Sequence, residues 1–169
     1  MRSFRILTAA CVATVLVAGL ATAAATAGPS TLEASTQRIE DERAITRLLI
    51  EYGHALDNRD FAAYAALFAT DGEWQGALGR YRGPAAIQAA MEKIFTDAAA
   101  DIPKGKNFHV MSNFIIDVQG DSATAKSVFI FYKMNKIVPE AAVAGRYEDI
   151  LIREKGVWRF LRRTALPVG

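Results

Sequence analysis

The chain has little that could carry redox or metal chemistry. Its 169 residues include one cysteine, Cys11, and two histidines, His54 and His109. One cysteine forms no internal disulfide, so the core must hold the fold without a cross-link. There is no H-E-x-x-H run, no glycine-rich phosphate loop and no G-x-S-x-G elbow. Two histidines far apart in sequence are a weak metal set. No metal and no cofactor are therefore expected. An excess of one charge is also missing: 20 Lys and Arg stand against 18 Asp and Glu.

Long apolar runs are confined to the N-terminus. Arg2 and Arg5 precede an apolar stretch from Ile6 to about Leu20, and Ala25-Thr26-Ala27 follow. That order is the pattern of an export signal cleaved after residue 27. The alternative is an uncleaved anchor, since the run approaches the ~20 residues that span a bilayer. Cleavage is the expectation, because the end of the run is weakly apolar alanine and threonine. Losing residues 1–27 removes Cys11 and two arginines, so Lys and Arg fall from 20 to 18 and equal the acids. A neutral, exported protein without a basic patch is a poor nucleic-acid binder, and no further membrane contact is expected. Residues 28–36 read as a flexible lead-in and 37–169 as one domain, long enough for a single core.

Residues 37–57 show helical spacing in Ile45, Leu48, Leu49, Tyr52 and Leu56, with a charged stripe opposite. Asn58-Arg59-Asp60 makes a corner, and a short helix follows over 61–68, capped by Asp60. Gly72, Gly76, Gly79 and Gly83 around Trp74 and Tyr81 suggest a small hairpin. Gly83-Pro84 opens a third helix. Four strand-like runs follow: NFHVMSNFIIDVQ, SATAKSVFIFYKM, GRYEDILIRE and VWRFLRRTA. Gly120 and Gly156 mark hairpins, so neighbouring runs should be antiparallel. NKIVPEAAVA, with Pro139, reads as a loop. Glu148 and Asp149, near Arg146 and Arg153, read as exposed cross-strand pairs. Helices followed by strands give an α+β domain with helices on one sheet face. The other face also carries apolar residues and calls for a cover, most simply a second copy of the chain.

In NFHVMSN, strand alternation would turn His109, Met111 and Asn113 the same way. Asp57 closes the first long helix, where a carboxylate meets the unfavourable end of the helix dipole. If shielded there, it suits proton chemistry; otherwise it merely makes the corner. His109 is open to the same two readings, as a reactive group or a satisfied strand residue.

The segments IEDERAITRLLIEYGHALDNRDFAAYAALFATDGEW, GRYRGPAAIQAAM, FHVMSNFIIDVQGDSATAKS and GRYEDILIREKGVWRFLRR together resemble the SnoaL-like branch of the nuclear transport factor 2-like superfamily. The resemblance implies a cone: a curved antiparallel sheet wrapped around helices, enclosing an apolar pocket, often in a dimer. Two enzymes of that superfamily, scytalone dehydratase and hexachlorocyclohexane dehydrochlorinase, have an aspartate and a histidine at the positions of Asp57 and His109. The resemblance makes these a catalytic dyad for elimination. His109 would take a proton from carbon and Asp57 would hold the other ring nitrogen, or Asp57 would itself be the base. Asn113, Tyr52 or Tyr147 would donate to developing negative charge. Leu67, Phe68, Trp74, Met111 and Phe129 would wall the pocket around a small hydrophobic molecule. The same pocket would equally serve a non-catalytic binding protein, or fill with its own side chains in an assembly module.

Overall fold

The computed structural model describes residues 30–99 and 101–168. The export-signal reading concerns residues 1–27, outside the described residues. The elements are α1 (Thr31–Asp57), α2 (Phe61–Ala66), β1 (Phe68–Gly76), β2 (Gly79–Arg82), α3 (Pro84–Asp97), β3 (Asn107–Gln119), β4 (Ser122–Asn135), β5 (Val138–Glu154) and β6 (Val157–Pro167). They form helices on one curved six-stranded sheet of order β2-β1-β6-β5-β4-β3. β3 to β6 pair antiparallel, as their hairpin turns require. β1, however, lies parallel to β6, so the sheet is mixed.

Local chemistry explains the boundaries, including three that differ from expectation. Residues 31–36 are helical rather than a flexible lead-in. Ser30 accepts from the Glu33 backbone while the Glu33 carboxylate accepts from the Ser30 backbone, a reciprocal cap that starts α1 early. The second helix stops at Ala66, and Phe68 begins β1. The stretch around Pro139 is strand, not loop: β4 and β5 meet at Asn135 and Val138, and Pro139 stands opposite Met134. β6 pairs with β5 only from Gly145 onward, so Pro139 lies where β5 has one strand neighbour and its missing N–H breaks no ladder.

α1 lays Ile45, Leu48, Leu49, Tyr52 and Leu56 against the concave sheet face. Each such side chain contributes about 1.5–3 kcal/mol by leaving water. Phe160, Leu151, Ala123 and Ala125 meet them from the strands. The outer face keeps Phe108, Val110 and Ile115 partly or largely exposed.

Asp149 is the largest departure among the charges. It is buried at 4% exposure, because it shares its face with Tyr147 and Leu151 rather than with Glu148. Its partner is Arg163, fully buried: Nη2 donates to Oδ2 at 3.1 Å and Nε lies 3.0 Å from Oδ1. Arg153 instead serves Asp41 at 2.6 Å and Asp121 at 2.9 Å. Burial outweighs Arg163 and pushes the Asp149 carboxyl up to about 6.

A carboxyl raised above its unfolded value favours the folded state below the unfolded value, and that advantage is lost as pH rises through 6. Relative to Asp149→Asn, the native chain should therefore gain stability when urea unfolding is repeated at pH 5 instead of pH 7. A relative loss on that descent would show that the Arg163 ion pair, not burial, governs the site.

Candidate active site

The end of α1 and the start of β3 are brought together by one carboxylate. Asp57 Oδ1 lies 2.6 Å from His109 Nδ1. Oδ2 accepts the His109 backbone N–H at 2.8 Å, and Oδ1 also accepts from Asn107 Nδ2 at 3.2 Å. A carboxylate only accepts, so Nδ1 carries a ring proton, and in the neutral ring Nε2 is then the acceptor. Both side chains are largely withdrawn from water, at 7% exposure for His109 and 16% for Asp57. The register explains the meeting. Asn107 and His109 are alternate residues on the inner face of β3, and β3 is an edge strand beside α1.

Arg59 braces the arrangement. It occupies the left-handed region at φ 60°, just past the end of α1. Its guanidinium donates to Leu56 O, Ile102 O and Asn107 Oδ1 and stacks 3.8 Å from the Phe95 ring. Burial pulls its pKa down while the Asp57 charge opposes that shift. Neither Arg59 nor Asn107 was singled out from the sequence. The N-R-D corner hid the first, and strand parity with His109 was the available signal for the second.

His109 stands between two hollows. One is an outer groove of about 580 Å³ between α1 and β3, lined by Gly53, His54, Asp57, Asn107, His109 and Met111 among others. The other is an apolar cavity of about 480 Å³ inside the cone, under α3. Tyr52, Tyr64, Trp74, Phe129, Phe131 and Tyr147 form its aromatic wall, with Met91, Ile94 and Phe95 from α3. Gly145 admits Phe129: a Cβ there would sit 2.6 Å from its ring. Trp74 Nε1 donates to Tyr52 Oη at 3.0 Å, and the Tyr64 and Tyr52 hydroxyls bond at 2.8 Å. Beneath them Arg163 stacks 3.9 Å from both the Tyr52 and Tyr147 rings.

The other expected site residues divide. Tyr52, Trp74, Phe129 and Tyr147 line the inner cavity. Met111 faces the outer groove. Phe68 is packed in the core against Tyr64 and Phe160, and Leu67 sits by an outer crevice with Leu48 and Trp158. Asn113 does not share the face of His109. Ser112 pairs with Val128 and Ile115 with Lys126, so Asn113 and Phe114 together oppose Ser127. This bulge holds Asn113 at φ 54° and leaves it exposed, while Phe114, Ile116 and Val118 turn to the core. Among the described residues no cluster of His, Cys, Asp and Glu is arranged to hold a metal ion.

Solved structures share this architecture. An NTF2-like protein with a cystatin-like fold from Novosphingobium aromaticivorans is 25% identical, with TM-score 0.73, over 81% of this chain and 88% of that one. A candidate scytalone dehydratase from Novosphingobium aromaticivorans is 25% identical, with TM-score 0.66, over 80% of this chain and 89% of its own. LinA shares the fold at 19% identity and TM-score 0.68, over 80% of this chain and 90% of that one. A comparison with curated protein sequences found no match. The profile of the SnoaL-like domain matches residues 37–164, and the chain is therefore a member of the SnoaL-like family.

Proposed function

We propose that this protein is a cofactor-independent lyase or isomerase that removes a proton from a small hydrophobic molecule. The observation that carries this reading is the 2.6 Å Asp57–His109 contact, with His109 on the wall of an apolar cavity. His109 is the base in this scheme and Asp57 the orienting partner. Three donors already occupy Asp57, and it borders the outer groove rather than the inner cavity. His109 reaches both. As Nε2 takes the proton, the imidazolium is stabilised by the carboxylate at Nδ1, and the dry aromatic wall strengthens that attraction. Elimination agrees with one of the similar structures, the candidate scytalone dehydratase at 25% identity.

A second reading keeps the cavity and drops the chemistry: a carrier for a small lipophile, in which Asp57 and His109 satisfy each other. Its support is the wall itself, which is apolar except for one imidazole, three phenols and an indole. The partner we propose is a second copy of the chain on the outer sheet face. There Phe108 and Tyr132 stack at 5.0 Å beside exposed Val110 and Ile115.

Native mass spectrometry of protein purified from its own host should reveal a retained hydrophobic molecule. Against that compound, His109→Ala should slow turnover by about 10²–10⁴-fold, the usual contribution of a general base, while retaining binding. Unchanged turnover would remove His109 as the base, and retention with no turnover in the native chain would favour the carrier. Light scattering should give the mass of a dimer, and Val110→Glu should convert it to monomer. A native chain that is monomeric at tens of micromolar, an order-of-magnitude working concentration, would refute the paired sheet face.

A further inference from the structure

The β4–β5 hairpin outreaches its neighbours. β6 covers β5 only from Gly145 onward, and β3 covers β4 only up to Lys133. Just beyond, Lys106 O accepts the Met134 N–H at 2.8 Å. The projecting arm ends in a two-residue turn, Lys136-Ile137, between Asn135 and Val138. Lys136 is held at φ 54°, a turn position that glycine or asparagine usually fills. Ile137 is 88% exposed at the tip, and Val138 beside it is exposed too. Neither side chain serves the core, and lysine and isoleucine are poor choices for the turn.

The surroundings of the tip are basic. Lys104, Lys106, Lys133 and Lys136 are four of the chain's seven lysines. The sequence splits them into two pairs, so no basic run is visible along it. Pairing of β3 with β4 unites them at one end of the sheet. Segments 101–108 and 131–144 hold only two acids, Asp101 and Glu140, and Glu140 accepts from Asn135. Among the described residues none of these four lysines is in an ion pair. The apolar cavity opens at the same end. Exposed Val143, on the arm itself, lines it together with exposed Leu78 and Pro167. Exposed Val168 follows, its N–H donating to Ala144 O. Unpaired cations around an apolar tip complement anionic headgroups over hydrocarbon.

We propose that this end of the molecule docks on an anionic lipid bilayer. Ile137 and Val138 enter the acyl boundary, the four lysines meet headgroup phosphates, and the cavity mouth turns to the lipid. The inference makes the bilayer the source of the hydrophobic molecule and in that respect rests on the cavity being a ligand site; the docking itself stands on the arm.

Vesicle sedimentation tests this, with the full chain carrying the N-terminus it has when purified from its host. It should bind vesicles of equimolar phosphatidylglycerol and phosphatidylcholine at low salt, and phosphatidylcholine alone about tenfold more weakly or worse. Added salt should weaken the contact. Ile137→Asp should lower binding to the anionic vesicles about tenfold, and Lys104→Gln with Lys136→Gln about fivefold per lysine. Unfolding midpoints should not move, because these side chains are exposed. Ile137→Trp reports depth: its emission should shift to the blue and be quenched by brominated acyl chains. Val157→Trp, at the other end of β5, should show neither effect. Trp74 and Trp158 are buried and add a constant background. All variants keep the native N-terminus, so binding that survives both arm changes lies elsewhere and overturns the inference. Equal binding of the two vesicle types overturns it as well. No binding to anionic vesicles also overturns it, and leaves the cavity reading standing.

Discussion

The carboxylate of Asp57 joins the two halves of the molecule. It accepts the ring N–H and the backbone N–H of His109 and the amide of Asn107. An acid in the last turn of a helix sits against the negative end of the dipole. Three donors at 2.6–3.2 Å offset that penalty and the loss of water. The bond set also closes the cone, because β3 is an edge strand with β4 alone beside it in the sheet. The interaction that sets the histidine tautomer is thus the one that fastens edge strand to helix. Arg59 extends the set, reaching Asn107 on one side and the Ile102 carbonyl on the other.

A second polar centre lies deeper. Arg163 is fully buried, stacked on Tyr52, Tyr147 and Phe160 and paired with Asp149. A buried ion pair is a weak source of stability, because desolvation takes back much of the attraction. Its structural consequence is clearer. The guanidinium is a plate against which two cavity tyrosines rest, and Tyr52 in turn receives Trp74 and Tyr64. The wall of the cavity is thereby held by polar bonds behind an apolar surface.

Much of this was legible in the sequence because two periodicities are strong. Ile45, Leu48, Leu49, Tyr52 and Leu56 mark α1, and Gly120 and Gly156 mark the turns on either side of the β4–β5 pair. The relation of Asp57 to His109 came from resemblance to a family, since neither residue alone distinguishes a corner or a satisfied strand position from a reactive group. Asn113 failed for a physical reason: the two-residue rule assumes an unbroken ladder, and one bulge reverses every later side chain. Pro139 failed because tolerance for proline depends on which strand has a neighbour, which is a property of the whole sheet. Asp149 and Arg163 were hidden because a charge that pairs across strands reads the same whether it faces water or core. The parallel contact of β1 with β6 joins segments from opposite ends of the domain, and no local turn announces it.

The state of the His109 ring is the most direct test of the whole account. Nitrogen-15 spectra of the imidazoles need resolve only two histidines, and exposed His54 provides an internal reference. The account requires neutral His109 to be a single Nδ1–H tautomer, with a slowly exchanging Nδ1 proton and Nε2 unprotonated. A ring whose neutral form is protonated at Nε2, or averages between tautomers, would mean that Asp57 does not hold it and that no base faces the cavity.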